Sequence, residues 1–258
     1  MLLPRLIPCL LIHKKGLVKT MQFGAHKYVG DPLNAVKIFN EKQCDELIVL
    51  DIDASSGGHS PNFNLIEKLA NECRMPLCYG GGINTIEQAE TILSLGVEKI
   101  SISSAALQNP ELIIDLSKRV GNQSIVIVLD IKKKRFGNKF DLFYHNGKKK
   151  SNAKLIEFVR TITNYGAGEI VINSIDNDGM MDGYNYNMID TIRNETTLPI
   201  TILGGVGSND DIRTAIDRYK IIGVAAGSYF VFKGKYKAVL INYPDPIEKG
   251  KLLLKSNL

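Results

Sequence analysis

The chain has 258 residues, 44% hydrophobic and 23% charged, proportions that suit a globular protein with a sizeable core. Its formal charge of +5, from 32 basic and 27 acidic residues, suits an anionic small substrate better than a nucleic acid, and no apolar run reaches membrane-spanning length. Cys9, Cys44, Cys73 and Cys78 form no C-x-x-C pair and lack zinc-binding neighbours, which points to reduced thiols in a cytoplasmic protein with no metal site.

The elements follow in chain order. The apolar stretch from Leu2 to Ile12 is interrupted by Pro4, Arg5 and Pro8 and followed, not preceded, by the basic residues His13 to Lys15. It therefore reads as a first strand over Arg5–Leu11 and not as a signal peptide. Further β-branched runs come at Glu46–Ile52, Pro76–Tyr79, Lys99–Ile102, Ser124–Asp130, Glu169–Ile172, Pro199–Leu203 and Ile221–Ala225. They are continuously apolar, as parallel strands covered on both faces are. Helical patterns lie between them. One opens at Asn84-Thr85, a second at Asn109-Pro110-Glu111 with proline at its first position, and a third at Ser208-Asn209-Asp210. The clusters Lys132–Lys134 and Lys148–Lys150 read as a solvated hairpin, since no aromatic platform for bases accompanies them.

Eight strands alternating with helices predict an α/β protein, a single-domain (β/α)8 TIM barrel over 1–258. A doubly wound sheet is the alternative, but it lacks a G-x-G-x-x-G after the first strand. The halves also echo each other. Glu46-Leu-Ile-Val-Leu-Asp-Ile-Asp53 matches Glu169-Ile-Val-Ile-Asn-Ser-Ile-Asp176, starting 123 positions on. Tyr79–Gly82 matches Leu203–Val206, and Ser101–Ser104 matches Ala225–Ser228, each 124 positions on. This predicts an internal half-barrel duplication, with halves about 1–122 and 123–245 and a short C-terminal tail.

Glycine runs at strand ends let an anion approach backbone N–H groups unobstructed. Gly81 and Gly82, with Ser103 and Ser104 one unit later, form one candidate phosphate cradle. Gly204 and Gly205, with Gly227 and Ser228, form the other. Two symmetric cradles suggest a phosphorylated small-molecule ligand with a phosphate at each end.

Ile7-Pro8-Cys9-Leu10, Gly30-Asp31-Pro32, Leu50-Asp51-Ile52, Tyr79–Ile83, Asp176–Gly179 and Gly204–Gly207 lie in order. Together they resemble the motifs of the cyclase subunits of imidazole glycerol phosphate synthase, over roughly residues 1–232. The resemblance implies a glutaminase partner at the barrel's N-terminal face, ammonia passing through the barrel, a bis-phosphorylated ribulose substrate at the other end, and no cofactor. It implies an acid–base pair of aspartates. Asp130 fills one position, but Leu11 fills the other, and leucine exchanges no proton. Asp51 and Asp178 are the candidate substitutes and substrate contacts, and Lys19 matches the family's mobile-loop lysine. Ser103 replaces an asparagine, and Met180 a phosphate-binding threonine. The resemblance also assigns Arg5, Glu46, Lys99 and Glu169 to a charged gate admitting ammonia, with Glu98 beside it at the glutaminase interface. The Cys-Leu-Leu start and the ending Lys237–Pro244 resemble diverged relatives in surface-polysaccharide pathways, where ammonia passes to a sugar amidotransferase. Neither nucleic acid nor membrane is an expected partner.

Overall fold

The computed structural model describes residues 3–253, so the first two and last five positions of the expected 1–258 barrel lie outside the described residues. Eight parallel strands form the barrel: β1 (Arg5–His13), β2 (Leu47–Asp51), β3 (Leu77–Gly80), β4 (Lys99–Ile102), β5 (Ile125–Lys133), β6 (Glu169–Ser174), β7 (Ile200–Leu203) and β8 (Gly223–Ala226). Each pairs with the next, and β8 pairs with β1 in parallel register (Arg5 opposite Gly223), so the sheet closes. The expected barrel is the observed fold.

Closure explains the continuous apolar runs. Along β5, Val126 and Val128 belong to the small cluster inside the barrel, while Ile125, Ile127, Leu129 and Ile131 belong to the large cluster beneath the helices. Both faces are dry, and each fully buried aliphatic side chain contributes about 1.5–3 kcal/mol. The outer layer comprises α1 (Pro32–Glu41), α2 (Phe63–Glu72), α3 (Ile86–Ser94), α4 (Leu112–Val120), α5 (Leu155–Asn164), α6 (Tyr186–Arg193), α7 (Asn209–Tyr219) and α8 (Pro246–Leu253). In α5, Leu155, Phe158, Val159 and Ile162 are buried, the i, i+3, i+4, i+7 stripe of a helix packed on a core.

The internal echo extends to backbone geometry. Asn62 caps α2 and Asn185 caps α6 with nearly identical dihedrals, φ −83°, ψ 84° and φ −82°, ψ 84°. Thr85 and Ser208 start α3 and α7 with reciprocal capping boxes. Gly81 and Gly205 share φ +125°, in the region that favours glycine.

Two expectations are corrected. Pro110 does not open α4. Residues 109–111 form a turn in which Leu112 N–H bonds to Asn109 O and Ile113 N–H to Pro110 O, and the helix starts at Leu112. The C-terminal segment is no plain tail. Asp245 caps α8 by accepting from Ile247 and Glu248 N–H, with Pro246 at its first position. Lys249 pairs with Asp45, and the buried Tyr243 donates its hydroxyl to Leu6 O at 3.0 Å. These bonds fasten α8 to the starts of β1 and β2.

Candidate active site

Side chains alternate along each barrel strand, so polar residues two apart in sequence stack along the barrel axis. At the N-terminal end lies a charged ring. Arg5 bonds to Glu46 and, at 2.7 Å, to Glu169, and Lys99 reaches Glu46 at 3.0 Å and Glu169 at 2.9 Å. The four sequence-selected residues thus form one closed cycle of two cations and two anions, with Glu46 and Glu169 only 3% and 6% exposed. Burial alone would raise the Glu169 carboxyl, but Arg5 and Lys99 outweigh it and hold it below its ordinary range. The same carboxylates hold Lys99 protonated to higher pH than usual, against the effect of burial. Charges taken from water persist only as such a network. Thr201, fully buried, completes it by donating its hydroxyl to Glu169. Thr201 escaped the sequence reading because a threonine in a strand reads as β-propensity.

Glu98 is exposed, and its carboxylate accepts from Leu77 N–H at 2.7 Å, so one oxygen closes the start of β3. Above the ring, Ser101 carries the one buried side-chain oxygen or nitrogen without a hydrogen-bond partner among the described residues. A Cβ on Gly80 would collide with that hydroxyl, so the glycine keeps its place open.

At the C-terminal mouth, Leu11 and Asp130 line the same pocket. Leu11 packs beside Leu50 on the inner cluster. Asp130 is 8% exposed and accepts from Asn173 Nδ2 at 2.8 Å and from the Ser103 hydroxyl at 3.4 Å. Burial pushes its carboxyl up to about 7, although these hydrogen bonds pull the other way. Such a group can give or take a proton near neutrality. Asn173 was not singled out in the sequence, yet it lies four residues after Glu169 on the inward face of β6.

The other candidates surround this pair. Asp51 accepts from Asp53 and Ala54 N–H, and Asp178 accepts from the Thr20 hydroxyl at 2.6 Å and Phe23 N–H at 3.1 Å. Burial raises both carboxyls. Both line the mouth, but both hold loops in place. Lys19 is no exposed loop residue. It ends the strand Gly16–Lys19, which pairs back onto β1. It is 4% exposed and donates to Cys9 O. A Cβ on Gly227 would stand 2.8 Å from its amine, so that glycine is what lets Lys19 enter.

Gly81, Gly82, Gly204 and Gly205 all have positive φ and line the mouth together with Ser103, Ser104, Gly227 and Ser228. A Cβ on Gly81 would lie 2.5 Å from Asp51 O and one on Gly82 2.6 Å from His59 O, so close backbone packing requires these glycines whatever they bind. Ser104 accepts from His145 N–H at 3.0 Å, and the His145 ring bonds to Ser55 O, which folds the turn at residues 145–147 over the first cradle. Met180 is 37% exposed and outside the pocket lining, where Met181 stands instead. No group of three His, Cys, Asp or Glu among the described residues could hold a metal ion, and no helix there is long and apolar enough to cross a membrane.

The profile of the family described as histidine biosynthesis protein matches residues 5–237. An imidazole glycerol phosphate synthase subunit HisF of Exiguobacterium sibiricum is 34% identical over 229 residues, 89% of this chain and 91% of its own. The chain belongs to this cyclase family. Within it, a Vibrio vulnificus protein provisionally named imidazole glycerol phosphate synthase subunit hisF3 is 60% identical over 98% of this chain and 97% of its own. A Leptospira borgpetersenii protein, provisionally named as the HisF subunit, is 55% identical over 98% and 99%. The cyclase family's barrel is thus present end to end, with an aliphatic side chain across the mouth from Asp130.

Proposed function

We propose that this cyclase-type barrel conducts ammonia from a glutaminase docked at its N-terminal face and releases it at the C-terminal mouth, for amidination of a surface-polysaccharide sugar. One contrast carries the reading: the charged ring is complete, while at the mouth Leu11 stands where the family resemblance implies a second proton-handling carboxylate. The ring is then the ammonia gate. Breaking one Lys99 bond opens a path, and the unpaired Ser101 hydroxyl offers the passing molecule a hydrogen bond beyond it. In this scheme the exposed oxygen of Glu98 faces the glutaminase, and the cradles with Lys19 hold a phosphorylated ligand. The experiment is amidination of the sugar by the complex of barrel and glutaminase together with the sugar amidotransferase, fed either glutamine or ammonium salt. Lys99→Met should impair the glutamine-dependent reaction and spare the ammonium-dependent one. Equal loss in both would remove the gate.

A second reading, authentic cyclisation of the ribulosyl substrate in histidine biosynthesis, is favoured by Asp130 itself, whose carboxyl titrates near neutrality. It requires Asp51 or Asp178 to replace the missing partner, and both already accept two hydrogen bonds.

A further inference from the structure

The charge of the chain is divided along the barrel axis. Residues 13–30, 132–150 and 232–239 span the hairpins rising beyond the C-terminal ends of β1, β5 and β8. They hold 15 of the 32 basic residues and one of the 27 acidic ones, a net +14, which leaves 17 basic against 26 acidic residues, a net −9, for the remainder. Among the described residues, only Lys134 and Lys150 of these cations form ion pairs, both with Asp141.

The hairpins are joined. Lys27 donates to Lys237 O at 3.1 Å and sits over the Phe232 ring, linking the first to the third. Gly147 of the second lies against Phe23 of the first. Contrary to the expectation that no aromatic side chain accompanies the lysine clusters, each hairpin presents one aromatic ring to solvent: Tyr28 is 66% exposed, Phe136 84% and Tyr236 90%. None of the three lines the pocket, so a small ligand in the cradles would touch none of them. Exposed Tyr and Phe side chains are enriched at protein interfaces relative to the rest of a protein surface.

We propose that this basic crown is the docking surface for the acidic face of a second protein, the enzyme that consumes ammonia at the mouth. The proposal rests on the ammonia-conducting reading. Ammonia released into water at neutral pH is mostly protonated to ammonium, which is no nucleophile, so a consumer seated over the exit receives far more reactive nitrogen than one in solution. A nucleic acid or a bilayer on the same crown would cover the mouth and take up no nitrogen. Opposite charge on the partner would steer its approach and fix its orientation.

The test replaces Phe136 or Tyr236, and in a control Ile221 at the opposite end of the barrel, with the photo-crosslinking residue p-benzoylphenylalanine in the full chain in its native cells. Positions 136 and 236 should capture one and the same polypeptide, absent from the control. That polypeptide, purified, should bind the wild-type chain in a salt-sensitive manner, and the exposed double variant Lys133→Glu/Arg135→Glu should bind it about tenfold or more weakly. Adducts with phospholipid or nucleic acid, the same polypeptide captured at 221, undiminished binding by the double variant, or no adduct at all would each overturn the proposal. The readouts are adduct mass and affinity, not nitrogen transfer, so a failed crown leaves the Lys99→Met experiment standing, and the reverse holds too.

Discussion

Glu169→Gln would leave Arg5 and Lys99 facing Glu46 alone. Removing one member of a buried ionic network costs about 3–5 kcal/mol. Arg5 and Lys99 keep 29% and 20% side-chain exposure, so water offsets part of the loss and the lower end, about 3 kcal/mol, is expected. In a barrel of this size each kcal/mol moves Tm by roughly 2–4 °C, a fall of about 6–12 °C. Lys99→Met should cost a similar amount, because it leaves two carboxylates on Arg5. The double variant retains one cation and one anion that already bond each other, Arg5 and Glu46. It should therefore be more stable than the sum of the singles by at least about 1 kcal/mol. Thermal and urea midpoints of the four chains measure the cycle. Strict additivity would refute the network. The pH dependence has a definite sign: Glu169 is held below its ordinary value of 4.5, so its contribution is present above that pH and is lost as pH falls through the folded-state value.

Three further outcomes follow from the mouth. Asp130 is raised from 3.8 to about 7, so the native state binds more protons than the unfolded chain between those values and loses stability as pH rises through them. Asp130→Asn should therefore be more stable at pH 8, by up to about 4 kcal/mol, with the gain vanishing below the unfolded-state value; denaturant midpoints across pH would contradict this if the difference stayed constant. Leu11→Asp should push the Asp130 carboxyl above about 7 by like-charge repulsion, seen by carbon-13 NMR titration; an unmoved titration would mean the two side chains do not face each other. Gly227 has a negative φ, and in Gly227→Ala the added Cβ meets the flexible end of Lys19 at 2.8 Å and Cys9 O at an ordinary 3.4 Å. The substitution should change stability by less than about 1 kcal/mol yet weaken binding of inorganic phosphate. Calorimetry showing unchanged phosphate binding would detach Lys19 from the second cradle.

The barrel was legible in the sequence because strands buried on both faces leave unbroken apolar runs, and because Thr85 and Ser208 cap helices by strictly local bonds. Pro110 misled for a related reason: proline suits a turn as well as a first helical position, and the chain uses it in the turn. The C-terminal helix carried its own signal, Asp245 before Pro246, outweighed by the polar composition around it. The charged ring was legible only through family resemblance. Arg5, Glu46, Lys99 and Glu169 are far apart in sequence, and nothing local says that their strands meet. Thr201, Asn173 and Ser101 were missed because their meaning is tertiary: one completes the ring, one positions Asp130, and one is left unpaired beside Gly80.

Turnover of the ribulosyl substrate by the purified chain at saturating ammonium salt bears most directly on the claim that this barrel passes nitrogen on instead of cyclising with it. With Leu11 in place of a carboxylate, the rate should lie at least about 10²-fold below that of a cyclase with both aspartates. A rate equal to that cyclase's would contradict the account.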